Sequence, residues 1–229
     1  MMHLSLLRLP RQSPRWQFLQ PYQLHQVLWA AFPGLPRHSS ENRFLYRHDE
    51  HEKEHSILVQ SAVLPDWSGL DNESEGATAQ VREIFPEKIE AGTELRFFLR
   101  ANPVVYRRGY ADGKERHILV GSDRAQMAER RGVDISTVPS REKQLIDWLT
   151  RKAETGGFSL VATLPGASRD YIIRKPKSTV TGKQAPMTFT GIDFEGILTV
   201  TDTALFTATL AGGIGRGKGF GFGLLSVRR

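Results

Sequence analysis

Gly215-Arg216-Gly217-Lys218-Gly219-Phe220-Gly221-Phe222-Gly223-Leu224-Leu225 opens the last fifteen residues of a 229-residue chain. Ser226-Val227-Arg228-Arg229 closes it, and Ala211-Gly212-Gly213-Ile214 leads in. From Gly215 to Gly223, five glycines alternate with two basic and two aromatic residues. Glycine has no Cβ, so its backbone reaches positive φ and lies close against a ligand. Backbone N–H groups freed in this way form anion-binding concavities, and Arg216 and Lys218 add positive charge. Leu224 to Val227 then turns apolar and reads as a short buried strand.

The order of elements around this loop decides the fold class. No register of the glycines gives the dinucleotide spacing G-x-G-x-x-G. Gly212 to Lys218 matches the opening of a mononucleotide loop, G-x-x-x-x-G-K, but Gly219 stands where Ser or Thr is required. Both motifs need a strand before the loop and a helix N-terminus after it. Here a helix precedes, a strand follows, and too little chain remains for a further helix. On its residues alone, the loop reads either as a grip on something phosphate-bearing or as a glycine-rich turn.

Composition narrows the partners. The net charge is +6 and there is no cysteine. A basic balance favours nucleic acid, an anionic surface or an acidic partner, and arginine binds two phosphate oxygens at once. Lack of cysteine excludes disulfides, thiolate metal sites and a cysteine nucleophile, and suits a cytoplasmic location. The run at Met1 to Arg15 is broken by Arg8 and Pro10 and lacks the pattern of a secretory signal. No segment has the length of a membrane span.

Taken in order, His3 to Leu9 predicts a strand. Pro21 opens a helix to about Phe32, with Leu24, Val27, Leu28 and Ala31 on one face. Arg43–Arg47 and Ser56–Val63 read as a hairpin with a charged, solvated tip from His48 to His55. Leu70 to Ala79 reads as an exposed loop, and Ile84 to Ile89 as a further strand. Glu90-Ala91-Gly92-Thr93 is the candidate linker. Glu94 to Tyr106 is a strong strand, and His117 to Val120 continues the sheet. Residues 121–139 show no pattern. A helix opens at Ser140-Arg141 and ends at Gly156-Gly157, with Leu145, Ile146 and Leu149 inward. Strands follow at Phe158–Leu164 and Met187–Thr201, and Asp202 caps a helix over Thr203–Leu210. Both halves therefore show the ferredoxin-like order of elements. The expected class is α+β with two tandem ferredoxin-like (RRM-like) domains: residues 1–92, carrying the first helix, and 93–229, carrying a basic hairpin and the glycine loop. The aromatic signature of base-stacking domains of this shape is absent.

Three sets of residues bear on chemistry. Tyr22 and His25 are three apart on the first helix and share a face. Histidine moves protons near neutral pH, although such a pair also occurs as ordinary packing. His48, His51 and His55 lie among acids without the spacing of a metal site, so no metal is assigned. Arg96, Arg100, Arg107 and Arg108 on one side, and Arg174, Lys175 and Lys177 on the other, outline a phosphate-tracking surface.

Four segments together resemble the CasE family of CRISPR RNA-processing endoribonucleases. They are Pro21-Tyr22-Gln23-Leu24-His25-Gln26-Val27-Leu28-Trp29 with the preceding strand, Val59-Gln60-Ser61-Ala62-Val63-Leu64-Pro65, Leu95-Arg96-Phe97-Phe98-Leu99-Arg100-Ala101-Asn102-Pro103, and Gly213 to Ser226. The resemblance implies cleavage of the repeat stem-loop of precursor CRISPR RNA without metal or cofactor, leaving a 2′,3′-cyclic phosphate. It also implies retention of the cut guide with the other subunits of the type I-E surveillance complex (Cascade), away from membranes. His25 takes the place of the family's catalytic histidine and Tyr22 that of its tyrosine, with acid and base roles exchangeable. Lys218 is the candidate for stabilising negative charge. Gly215, Arg216, Gly217, Gly219 and Gly221 match the family's terminal loop, expected to support both fold and RNA. Arg174, Lys175 and Lys177 match, by position and charge, the hairpin that enters the groove of the RNA stem. Gly219 departs from the Ala or Ser frequent in relatives, which implies a looser loop. The alternatives are a non-catalytic RNA-binding subunit and a P-loop nucleotide binder.

Overall fold

β1 (Met2–Pro10), α1 (Pro21–Ala30), β2 (Leu45–Glu50), β3 (Glu54–Ser61) and β4 (Thr78–Ile84) make up the first half of the chain in the computed structural model. The second half runs β5 (Glu94–Ala101), β6 (Val104–Arg107), β7 (Arg116–Leu119), α2 (Arg124–Arg131), α3 (Arg141–Thr155), β8 (Phe158–Ile173), β9 (Met187–Val200), α4 (Thr203–Gly212) and β10 (Leu225–Arg228). The structure describes residues 1–34, 44–70, 76–107, 116–173 and 186–229.

Alternation along β1 explains the first sheet. Leu7 and Leu9 are fully buried on one face, while Leu4, Leu6 and Arg8 lie on the other. The same buried face carries Ser5, whose hydroxyl accepts a 3.0 Å bond from the Trp67 indole, so this polar group is satisfied. β1 pairs antiparallel with β3 and β4, and β2 adds outside β3, giving the order β2-β3-β1-β4. Leu24 and Leu28 of α1, with Ala31 and Phe32 beyond it, close the core over Tyr46, Ile57 and Val59. In the second sheet the order is β10-β5-β9-β8, again wholly antiparallel. Leu95, Phe97, Leu99 and Ala101 face inward, where they meet Leu145, Trp148 and Leu149 of α3 and Phe206 and Leu210 of α4. Numbered within its own half, each sheet reads fourth-first-third-second, the ferredoxin-like order. Two ferredoxin-like units follow one another, as expected. The caps are where the sequence put them: Ser140 accepts from the Lys143 N–H at 3.1 Å, and Asp202 from Leu205 at 2.8 Å.

Four local expectations are corrected. β4 occupies Thr78–Ile84, overlapping the expected loop, while Pro86–Lys88 is a 3-10 turn rather than strand. β4 is an edge strand, exposed or half-exposed throughout, and its apolar alternation is confined to Ala79 and Val81 before Glu83 breaks it. The strand expected over Glu94–Tyr106 breaks at Asn102-Pro103 into β5 and β6. α2 forms from Arg124-Ala125-Gln126-Met127-Ala128-Glu129-Arg130-Arg131, which buries only Ala128. β8 extends beyond Leu164 to Ile173 through two register shifts against β9. No helix among the described residues is long and apolar enough to cross a membrane.

The hairpin tip is also different. His48 and Glu50 belong to β2 and His55 to β3, leaving His51 to Lys53 as the turn. His55 is buried, bonded through Nδ1 to His48 Nε2 at 2.9 Å and through Nε2 to the Trp16 carbonyl at 2.9 Å. Burial lowers both imidazoles from the ordinary value. His48 is brought to about 4 by burial and then by the neighbouring His55 and Arg100, against the opposing pull of Glu50 and Asp49.

The terminal loop is locked in place. Gly213, Gly215, Gly217, Gly221 and Gly223 all have positive φ. Ile214 N–H bonds the Gly223 carbonyl at 2.9 Å, and Gly223 N–H bonds the Arg100 carbonyl of β5 at 2.7 Å. Ile214 and Phe222 are buried inside it. A Cβ on Gly217 would meet Phe222 at 2.9 Å, and one on Gly223 would meet the Ile214 carbonyl oxygen at 2.7 Å. The glycine-rich turn is therefore packed against the rest of the protein on both sides of Gly219. The glycines are needed because the backbone packs closely on protein.

Two outcomes follow. Gly217→Ala should lower unfolding stability by about 2 kcal/mol, since it forces a left-handed conformation on a residue with a Cβ. Gly219→Ala should be near neutral, because Gly219 has no positive φ and its Cβ would sit 3.5 Å from His25. Urea titration of both variants checks this. Acid should act through the buried imidazoles: the unfolded chain takes up protons below about pH 6.5, while native His48 resists them down to about 4. Stability should hold above pH 6.5 and fall toward pH 4, with a slope approaching ~1.4 kcal/mol per pH unit for each proton. His48→Gln should flatten that slope in urea melts across this range.

Candidate active site at the junction of the sheets

Leu24 and Leu28 of α1 lie in the core, and His25, beside them on the helix, reaches the terminal loop at Gly219 and Phe220. Pro21 starts the helix, and the Gln20 N–H bonds the Gln23 side chain at 3.2 Å, which holds the first turn. Tyr22 and His25 are both half-buried one turn apart. The imidazole of His25 lies 5.9 Å from the ring of Phe220, 6.2 Å from Phe44 and 6.1 Å from Trp29, centroid to centroid. On the loop side it faces Gly219. The first helix and the last loop, some two hundred residues apart, thus meet at His25.

The indole N–H of Trp29 donates to His25 Nε2 at 2.9 Å. A nitrogen that accepts is unprotonated, so the neutral ring held this way carries its proton on Nδ1, toward Gly219. Trp29 therefore sets both the tilt and the tautomer of the imidazole. It was missed in the sequence, although His25 and Trp29 stand four apart on the helix and that spacing puts them on one side. Tyr46 was also missed. Its buried hydroxyl donates to the Gly219 carbonyl at 3.2 Å, and burial pushes its pKa well above the usual phenol range. This contact ties the first sheet to the residue that backs His25. Only strand register places Tyr46 there, so no local pattern announces it.

The basic candidates separate into groups. Arg100 is engaged within the protein. It holds Asp193 through two bonds of 2.7 and 2.9 Å, and its third nitrogen donates to the His48 carbonyl at 2.6 Å. Asp193 lies directly opposite on β9, while His48 belongs to the other sheet. This places Arg100 as a clasp between the halves. Arg96 lies on the open face of the second sheet with Arg228, Arg47 and Glu195. Arg47 itself stacks 4.3 Å above Phe98 and bonds Asp49 and Ser226. Lys218 and Arg216 turn to the far side of the loop, where the Lys218 ammonium bonds the Gly212 carbonyl at 2.5 Å and Arg216 meets His117 at 3.0 Å. Gly215 and Gly221 pack toward Trp148 and Tyr46 respectively. Arg108, Arg174, Lys175 and Lys177 lie outside the described residues, as does the side chain of Arg107. Among the described residues no group of three His, Asp or Glu side chains is placed to hold a metal.

Paired ferredoxin-like sheets that lodge a histidine against a glycine loop, with arginines on the open face, define a class of two-domain nucleic-acid-processing folds. The family described as "CRISPR associated protein" matches residues 2–229, and the chain belongs to that family. It is 31% identical over 230 aligned residues to the CRISPR-associated endoribonuclease Cse3 of Thermus thermophilus, covering 94% of this chain and 93% of that one. It is 28% identical to the Cascade subunit CasE of Escherichia coli, covering 90% of each. The fold superposes with a TM-score of 0.75 on Thermus thermophilus Cse3 bound to an RNA representing a pre-cleavage complex, at 28% identity over 100% of this chain and 99% of that one. The resemblance read from the four segments is borne out.

Trp29→Phe should keep the ring packing on Phe44 and delete the donor to His25. Single-turnover RNA cleavage should slow about fivefold, the equivalent of one ordinary hydrogen bond, with RNA affinity unchanged. Equal rates for variant and wild type would remove Trp29 from the positioning of His25.

Proposed function

We propose that this chain is an endoribonuclease that cuts the repeat stem-loop of precursor CRISPR RNA. The observation that supports the reading is the packing of His25 against Gly219 and Phe220, which brings a titratable side chain of α1 beside the loop from the other end of the chain. The relatives' activity, endoribonuclease in one and Cascade subunit in the other, agrees with it.

In this reading residues 1–92 and 93–229 act as two units, and the RNA stem lies on the basic surface that they share. The 2′-hydroxyl next to the scissile phosphate attacks in line, the bond to the 5′-oxygen breaks, and a 2′,3′-cyclic phosphate remains. Tyr22 and His25 move the two protons. As the acid for the leaving oxygen His25 must act as the imidazolium, in which both ring nitrogens donate, so the Trp29 bond to Nε2 opens when the ring takes up its proton. Lys218, one residue before Gly219, stabilises the phosphate charge on releasing the Gly212 carbonyl. Neither a metal nor a cofactor enters these steps. Arg174, Lys175 and Lys177 enter the groove of the stem, the product stays bound within the type I-E surveillance complex, and the reaction takes place in the cytoplasm.

A non-catalytic RNA-binding role is favoured by one observation, the occupation of His25 Nε2 by Trp29. The two readings separate in one assay. Wild type should cut a labelled repeat hairpin with EDTA present, and His25→Ala should bind it equally while cutting at least about a hundredfold more slowly, the scale of lost general acid catalysis. Equal cutting by the variant would overturn the role of His25, and cutting abolished by EDTA would overturn the metal-free reaction.

A further inference from the structure

The far side of the glycine loop forms a second concave site. Its walls are the β6–β7 hairpin with Tyr106 and His117, the α3 helix with Trp148 and Lys152, and the loop with Arg216 and Lys218. Three cations line it, and none of the described residues lining it is an acid. The contrast with the open face of the second sheet is informative. There, Arg47, Arg96 and Arg228 are accompanied by Glu195, and Arg47 is neutralised by Asp49 at 2.7 Å. Cations gathered in a concavity with no acid among its described lining repel one another, so the site is suited to an anion supplied from outside.

An aromatic surface stands beside these charges. Tyr106 is 47% exposed, and its ring lies 5.2 Å from that of His117, whose Nε2 meets the Arg216 guanidinium at 3.0 Å. A cationic groove edged by an exposed ring is the composition that binds single strands, where phosphates follow the charge and a splayed base stacks on the ring. The location also fits, because Arg216 and Lys218 lead directly into Gly219, which backs His25 on the other side of the loop.

We propose that this pocket is a subsite for the unpaired RNA that flanks the cleaved stem. Lys152 and Arg216 hold its backbone phosphates, and Tyr106 stacks one base. The assignment rests on the reading of the chain as a repeat-cutting endoribonuclease and adds the region of the substrate that lies beyond the stem.

Fluorescence anisotropy with four RNAs tests it: the bare repeat hairpin, the hairpin with six-nucleotide flanks, the same flanked hairpin with the flanking bases removed, and an unstructured hexanucleotide. Flanks should tighten binding to wild type about tenfold, the scale of one base stacked on an aromatic ring. Tyr106→Ala should lose most of that gain, Tyr106→Phe should keep it, and the abasic flank on wild type should behave like Tyr106→Ala. Lys152→Ala should reduce the part of the gain that survives without bases. Both alanine variants should cut the bare hairpin at the wild-type rate. Absence of any gain from flanks, or equal weakening of bare and flanked hairpins by Tyr106→Ala, would overturn the subsite. Hexanucleotide binding that needs Tyr106 and Lys152, with the hairpin left uncut by wild type, would uphold the subsite and overturn the endoribonuclease reading. Cutting without a flank gain would do the reverse.

Discussion

Gly223 donates its N–H to the carbonyl of Arg100 and accepts the N–H of Ile214, and these two bonds close the terminal loop against β5. Much of what surrounds His25 depends on that closure. It buries Phe222, sets Phe220 against the imidazole and leaves the Gly219 carbonyl in reach of Tyr46. The same residue whose carbonyl anchors the loop, Arg100, reaches with its side chain to Asp193 and to the His48 carbonyl. Loop, second sheet and first sheet are thereby joined at one residue. A loop rich in glycine costs conformational entropy on ordering, and the close packing of its backbone on Tyr46, Phe189 and Phe222 offsets that cost.

The division of labour across the loop follows from its geometry. One side packs against the His25 imidazole. The other carries Arg216 and Lys218 into a pocket with no acid among its described lining residues. Positive charge is thus kept beside the imidazole without being in contact with it, and the Trp29 indole holds the ring in its neutral, accepting form at Nε2. A cation placed directly on that nitrogen would oppose protonation.

Much of the architecture was legible because its signals are local. Pro21, Ser140 and Asp202 mark helix starts, and the alternation of Leu95, Phe97 and Leu99 marks the central strand of the second sheet. β4 was not, since on this exposed edge strand only Ala79 and Val81 alternate with polar residues, too short a period to set it apart from the loop before it. α2 was hidden for the same reason, as it buries one alanine. At the site, Tyr22 and His25 were visible from helical spacing and from the family likeness. Their setting was not. The bond between His48 and His55 depends on the register of β2 on β3, and the bond from Tyr46 to Gly219 spans most of the chain. The glycines read as room for a ligand, whereas the space beside Gly217 and Gly223 is filled by the protein itself. Sequence reveals that a loop needs glycine, and only the packing reveals what approaches it.

The central claim is that the two ends of the chain build one site at which a 2′-hydroxyl displaces the 5′-oxygen of its own phosphate. Mass spectrometry of the fragments from a single-turnover reaction with repeat hairpin RNA tests it most directly. The account predicts a 2′,3′-cyclic phosphate on the upstream fragment and a 5′-hydroxyl on the downstream one. A 3′-hydroxyl paired with a 5′-phosphate would mean that water, not the neighbouring hydroxyl, attacks, and would contradict the roles given to Tyr22 and His25.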